Sequence, residues 1–271
     1  MSSAIPFEKW QGLGNHYVVT DAEDWPFPIT PVRARLVCDP NFGVGSDGIL
    51  EVVRTGDVPE MRVWNPDGST AENCGNGIRM VSRYLAGRGQ LPADGRVLTG
   101  AGEVRVSVDG GVVAVDMGHA LFPAGEAEEP LRTSAGAVEL AEVSMGNPHA
   151  VIRHDDPDAV VASMGPLIET DERFPQRTNV EFVRRDGPSE MTMRVWERGA
   201  GVTMACGTGA CAAAVAGVRL DGMQSPVTVH LAGGDLVIDV ADDLRVTMTG
   251  PADPIYSGRF SADLMSRLEA M

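Results

Sequence analysis

Between Glu103 and Met117 apolar residues take every second position, Val104, Val106 and Val108 and then Val113, Val115 and Met117, with Asp109-Gly110-Gly111 between the two runs. Period two around a glycine turn predicts a β-hairpin. The stretch DLVIDVADDLRVTMTG, ending at Gly250, follows the same design. A different period follows two of the cysteines. After Cys74, the residues Ile78, Val81 and Leu85 recur at helical steps until glycines stop the run; after Cys206, ACAAAVAGVRLDG predicts a helix of small residues ending near Gly222.

These patterns recur in one order. Met61-Arg62-Val63-Trp64 precedes Cys74 as Met193-Arg194-Val195-Trp196 precedes Cys206, and the two cysteines stand 132 positions apart. At that offset, without a gap, Gly14-Asn15 falls on Gly146-Asn147, Phe42 on Phe174, Asp47 on Asn179 and Gly118 on Gly250. Internal repetition fixes an architecture before any single element does. The expectation is an α+β protein of two pseudo-symmetric domains of like fold, each a mostly antiparallel sheet around a central helix. Their cores lie at about 5–120 and 137–252. With the Pro-, Gly- and Glu-rich connector 121–136 counted in the second, the halves run 1–120 and 121–252, and the tail 253–271 packs back on the first. A pseudo-twofold axis brings equivalent positions face to face, so the active site is expected in the interdomain cleft.

Composition narrows the chemistry. The chain of 271 residues has 43% apolar residues, no run long enough to cross a bilayer, and an amino terminus without the basic start and apolar core of a signal peptide. A cytoplasmic protein is expected, with its cysteines as thiols. A net charge of −16 disfavours nucleic acid and anionic lipid as partners. Lys9 is the sole lysine, which argues against Schiff-base and pyridoxal chemistry. The four cysteines, 38, 74, 206 and 211, show no Cys-x-x-Cys spacing, so no metal site is expected. Cys38 and Cys211 do not open a helix behind glycines and read as packing residues, and Asp47 reads as ordering its glycine-rich loop.

Cys74 and Cys206 each open a helix, where the macrodipole lowers a thiol pKa. The amides of Gly75-Asn76-Gly77 and Gly207-Thr208-Gly209 lack helical partners and suit a carboxylate. A carbon beside that carboxylate, with a thiolate base on one face and a thiol acid on the other, would be inverted by removal and return of a proton. The amides would stabilise the enolate, and no cofactor is needed.

The ordered motifs GLGN, FGVGSDGI, WNPDGS…NCGNG, SMGNPHAV, RFPQRTNVEF and ERGAG…ACGTGACAAA resemble those of the diaminopimelate epimerases over nearly the whole chain. The resemblance implies a pyridoxal-independent isomerase that interconverts LL- and meso-diaminopimelate in lysine and peptidoglycan precursor biosynthesis, and a homodimer. It implies Cys74 and Cys206 as the acid/base pair. Asn15, Asn65, Asn147, Asn179, Glu197 and Arg198 would contact the amino-acid substrate, Arg198 through its distal carboxylate, while Gly75, Asn76, Gly207 and Thr208 hold the carboxylate at the reacting centre. His149 and Glu197 would tune the cysteines. Two departures stand out: His16-Tyr17 where many members read Asp-Phe, and Thr70 where several have glutamate. A two-thiol racemase of proline or histidine type, and a non-catalytic binding module or an isomerase of the same double fold that does not use the thiols, remain the alternatives.

Overall fold

The computed structural model describes residues 4–54, 56–71, 74–134 and 136–271; residues 1–3 of the expected first half and residue 135 of the connector lie outside the described residues, as do 55, 72 and 73. The chain forms two compact units, one running up to Val115 and including Pro251–Met271, the other Asp116–Gly250.

In the first unit β1 (Pro6–Gly12) and β2 (Asn15–Asp21) form a hairpin. After α1 (Pro31–Cys38), β3 (Ile49–Val53) lies parallel to β2, and β4 (Glu60–Trp64) runs antiparallel to β3. A short β5 (Thr70–Ala71) leads to α2 (Gly75–Ala86); β6 (Asp94–Thr99) is then parallel to β4, and β7 (Gly102–Asp109) with β8 (Val112–His119) makes the hairpin that period two predicts. Each parallel pair is bridged by a helix, as a crossover between parallel strands requires.

The second unit repeats this order. After β9 (Glu128–Thr133) come β10 (Gly136–Ser144), β11 (Pro148–Arg153), α3 (Pro157–Glu169), β12 (Asn179–Arg185), β13 (Glu190–Glu197) and β14 (Gly201–Val202). Next are α4 (Gly207–Asp221), β15 (Val227–Leu231), β16 (Gly234–Val240) and β17 (Arg245–Pro251). Again β11–β12 and β13–β15 are parallel and the remaining neighbours antiparallel. α2 packs against β1–β4 and β7, and α4 against β10–β13, β15 and β16, so each sheet curls around one helix. The small residues of α4 permit this: Ala210, Ala212, Ala213 and Ala214 are fully buried, and strands approach the helix on all sides.

The tail forms β18 (Asp253–Arg259) and α5 (Ala262–Glu269). β18 pairs with β1 as β9 pairs with β10, covering an edge that would otherwise expose unpaired backbone groups. Phe260, Met265 and Leu268 enter the cluster of Ile5, Phe7, Val18, Trp25 and Ile29, each such burial being worth about 1.5–3 kcal/mol. Lys9 is buried on β1, its ammonium donating to the Gly45 carbonyl; burial lowers its pKa against the pull of Asp47.

The ladders correct the gapless register. The β1–β2 turn leaves Leu13-Gly14 between Gly12 and Asn15, whereas the β10–β11 turn leaves Met145, Gly146 and Asn147 between Ser144 and Pro148. One residue is missing before β12. Val18 pairs with Ile49 and Ala150 with Val180, so the first members stand 132 positions apart and the second 131. Asn179 is therefore level with Gly48, not Asp47. The offset of 132 returns at Met61–Trp64 because the β12–β13 connection is one residue longer than the β3–β4 connection: Val53 pairs with Glu60 and Arg184 with Thr192.

Candidate active site

Cys74 is the N-cap of α2, in extended backbone, and is partly exposed. Its sulfur accepts the Gly77 amide at 3.2 Å, one of the donors that a helix start leaves unpaired, and its thiol donates to the phenol oxygen of Tyr17 at 3.6 Å. Behind it Arg79, fully buried, ties the first turn together: Nη1 donates to the Gly75 carbonyl, Nη2 to Asn76 Oδ1 at 3.0 Å, and Nε to the Pro251 carbonyl. The Asn76 side-chain oxygen is thus taken by Arg79.

Cys206 is the N-cap of α4 and is buried. Its sulfur lies 3.6 Å from Thr208 Oγ1, and its thiol hydrogen-bonds the Glu197 carboxylate, which also accepts from the Thr203 hydroxyl. Burial first, and then the charges of Glu197 and Glu181, push the Cys206 pKa well above its ordinary value, with Thr208 pulling more weakly the other way. This overturns the expectation that its helix start would lower it: a carboxylate pair in a dry site outweighs the macrodipole, whose effect is limited to about 0.3–1 kcal/mol on the surface and about 2 kcal/mol when partly buried. Cys206 is a thiol at neutral pH. Burial also raises the Glu197 pKa, an effect increased by Glu181 and opposed by Thr203, His149 and Cys206.

A buried chain of hydrogen bonds runs beside this thiol. Glu181 Oε1 is 2.7 Å from His149 Nδ1, both side chains being fully buried; His149 Nε2 faces Asn147 Oδ1 at 3.1 Å, and Asn147 Nδ2 donates to Thr208 Oγ1. The second oxygen of Glu181 has no hydrogen-bond partner among the described residues. Gly209 makes room for the carboxylate, since a Cβ there would sit 2.6 Å from Oε1.

The second unit brings together His149, Asn147, Glu197, Cys206, Gly207 and Thr208. Asn179 lies on the neighbouring strand, where its side chain donates to the Pro148 carbonyl and accepts the Arg198 amide. Arg198 is exposed, with Nη1 on the Gln176 carbonyl. In the first unit Asn65 Nδ2 donates to Ser69 Oγ within its turn, and Asn15 begins β2, followed by His16, whose amide donates to Asp47. Cys38 and Cys211 are buried, and burial raises the Cys38 pKa. Glu181 and Arg79 escaped sequence reasoning. The signal was a charge inside an apolar frame: Val-Glu-Phe in the strand and Ile-Arg-Met in the helix.

Known proteins resemble the chain over nearly its whole length. The family model described as diaminopimelate epimerase matches residues 7–123 and 141–255. The diaminopimelate epimerase of Pelotomaculum thermopropionicum is 46% identical, covering 94% of this chain and 98% of its own, and that of Geobacillus kaustophilus is 45% identical, covering 94% and 96%. Among solved structures, a phenazine biosynthesis protein of the PhzF family from Bacillus anthracis superposes with a TM-score of 0.73 at 14% identity, covering 96% of this chain and 99% of its own. A probable proline racemase from Agrobacterium radiobacter gives 0.72 at 14% identity, covering 96% and 93%. At such identity these last two speak for the fold alone.

Proposed function

The chain belongs to the diaminopimelate epimerase family and is a pyridoxal-independent isomerase interconverting LL- and meso-diaminopimelate, and we propose that Cys74 and Cys206 are the two groups that move its α-proton. The observation that carries this proposal is the repeated placement of the two thiols: each caps the central helix of its unit, at the same position of the repeat. In one direction the Cys74 thiolate takes the α-proton, and the C–H electron pair passes into the adjacent carboxylate as an enolate. The Cys206 thiol then gives its proton to the opposite face, which leaves a thiol at 74 and a thiolate at 206. The reverse direction exchanges the roles. The carboxylate rests on the amides of Gly75-Asn76 and Gly207-Thr208, where fixed donors stabilise the developing charge. Glu197, hydrogen-bonded to the Cys206 thiol, is the acceptor to which that proton can retreat when Cys206 must serve as base. Arg198 matches the distal carboxylate with its bidentate fork, and Asn15, Asn65, Asn147 and Asn179 contact the amino-acid groups.

The test follows α-proton exchange and epimerisation of LL-diaminopimelate in deuterated water with Cys74→Ala and Cys206→Ala. Epimerisation should be lost in both; full activity in either removes the two-thiol mechanism, and turnover of proline or histidine with none of diaminopimelate removes the substrate. No helix among the described residues is long and apolar enough to cross a membrane. We propose a homodimer in the cytoplasm, for which sedimentation at micromolar concentration should give twice the chain mass.

A further inference from the structure

Tyr17 on β2 is buried, yet its phenol oxygen reaches a sulfur, 3.6 Å from Cys74 Sγ. Its ring lies over Gly48 on the adjacent loop end: a Cβ at Gly48 would meet the ring at 2.7 Å and the Trp64 carbonyl at 2.6 Å. Glycine at 48 is thus what allows the phenol to occupy that place. A phenylalanine would fill the same volume without a polar atom, so packing alone gives no reason for the hydroxyl.

The repeat adds an independent observation. Tyr17 precedes Val18 on β2 as His149 precedes Ala150 on β11, and Val18 and Ala150 hold the same place in the parallel pairing of their units. Tyr17 and His149 are therefore the same strand position. In the second unit that position reaches its cysteine through Asn147 and Thr208; in the first it reaches its cysteine directly.

We propose that Tyr17 is a positioning residue for Cys74, holding the thiol when sulfur is protonated and donating its own O–H to the sulfur when it is a thiolate. It rests on the reading of Cys74 as an acid/base group. The phenol accepts from the neutral S–H and needs only to rotate its hydroxyl to donate to the anion. Together with the Gly77 amide it gives the thiolate two donors. A hydrogen bond to an ion is stronger than one to its neutral form, so the contact favours ionisation. Because sulfur at this distance is a soft, long-range acceptor, the expected effect is about tenfold in thiolate fraction, one unit on the pH axis.

The experiment is Tyr17→Phe, which keeps the ring and its packing, with Cys74 followed in two ways. Iodoacetamide labelling of Cys74, mapped by peptide mass across pH 6–10, should be about tenfold slower than wild type at the acidic end and converge with it at the alkaline end. The acidic limb of kcat/KM for diaminopimelate should move to higher pH by a similar amount. Profiles that superimpose on wild type, or rates lowered equally at every pH, would overturn the proposal, the latter because lost packing carries no pH signature. A shifted labelling profile in Tyr17→Phe, with full epimerisation in Cys74→Ala, would retain the contact and remove the acid/base reading.

Discussion

Replacing Glu181 by alanine should destabilise the second unit by about 1–3 kcal/mol, the range for leaving a buried polar group without its hydrogen-bond partner. The magnitude follows from burial. His149 and Glu181 are both fully shielded and their contact is 2.7 Å. Glutamine at 181 keeps an acceptor of the same shape and loses only the charge, so it should cost about 1 kcal/mol. The decisive measurement is a double-mutant cycle of Glu181→Ala with His149→Ala. Urea unfolding should be followed by hydrogen exchange on β11 and β12, so that the second unit is reported separately. Once His149 is gone, losing Glu181 no longer strands a partner, and the double variant should be about 2 kcal/mol more stable than the sum of the singles predicts. Additivity within about 0.5 kcal/mol would refute the coupling, and with it the view that Glu181 sets the ring on which Asn147 depends.

Iodoacetamide at neutral pH should label Cys74 before the other thiols, because it alone is partly exposed while burial pushes up the pKa of Cys38 and, with Glu197 and Glu181, that of Cys206. Labelling of Cys206 should appear only as pH rises beyond the range of an ordinary thiol, and equal labelling of the two at pH 7 would contradict this. Leu268→Ala in α5 should cost about 2–5 kcal/mol and lower the melting temperature by several degrees, since Leu268 is fully buried in the first unit's core. An unchanged melt would mean that the tail is dispensable.

Period two marked the hairpins β7–β8 and β16–β17, and the helical period marked α2 and α4, because each of these signals is local. The repeat itself was legible from Met-Arg-Val-Trp and the cysteines. The slips hidden within it were not. A residue missing before β12 is made up by an extra one between β12 and β13, so the offset reads 132 on either side, and only strand pairing reveals this. The field around Cys206 was illegible for a different reason. A helix start is visible in sequence and argues for an ionised thiol, whereas Glu181 arrives from another strand and Glu197 from a third element, and their sum reverses the sign. The turn at Asn65 was visible in Asn-Pro-Asp-Gly, but its amide's partner Ser69 was not singled out.

The two halves therefore share a frame and differ in what faces the sulfur. A two-base mechanism requires one thiolate and one thiol at the start of each turnover, and two identical sites would compete for a single proton with no preference. Here the second unit opposes ionisation, through burial and two carboxylates, while the first offers Cys74 the Gly77 amide and the Tyr17 phenol. The difference lies at three positions: tyrosine in β2 against histidine in β11, Leu50 against Glu181 in the corrected register, and Asn65 after Trp64 against Glu197 after Trp196. On the proposed mechanism the resting enzyme then holds its proton on Cys206 and accepts first the epimer whose α-hydrogen faces Cys74. The opposite epimer needs the proton moved off Cys206, and the nearest group able to hold it is Glu197, whose own pKa is raised by the same burial. Burial raises the pKa of both members of this hydrogen-bonded pair, that of the thiol well above its ordinary value, so the proton rests on sulfur and its transfer to Glu197 is the uphill step of that direction.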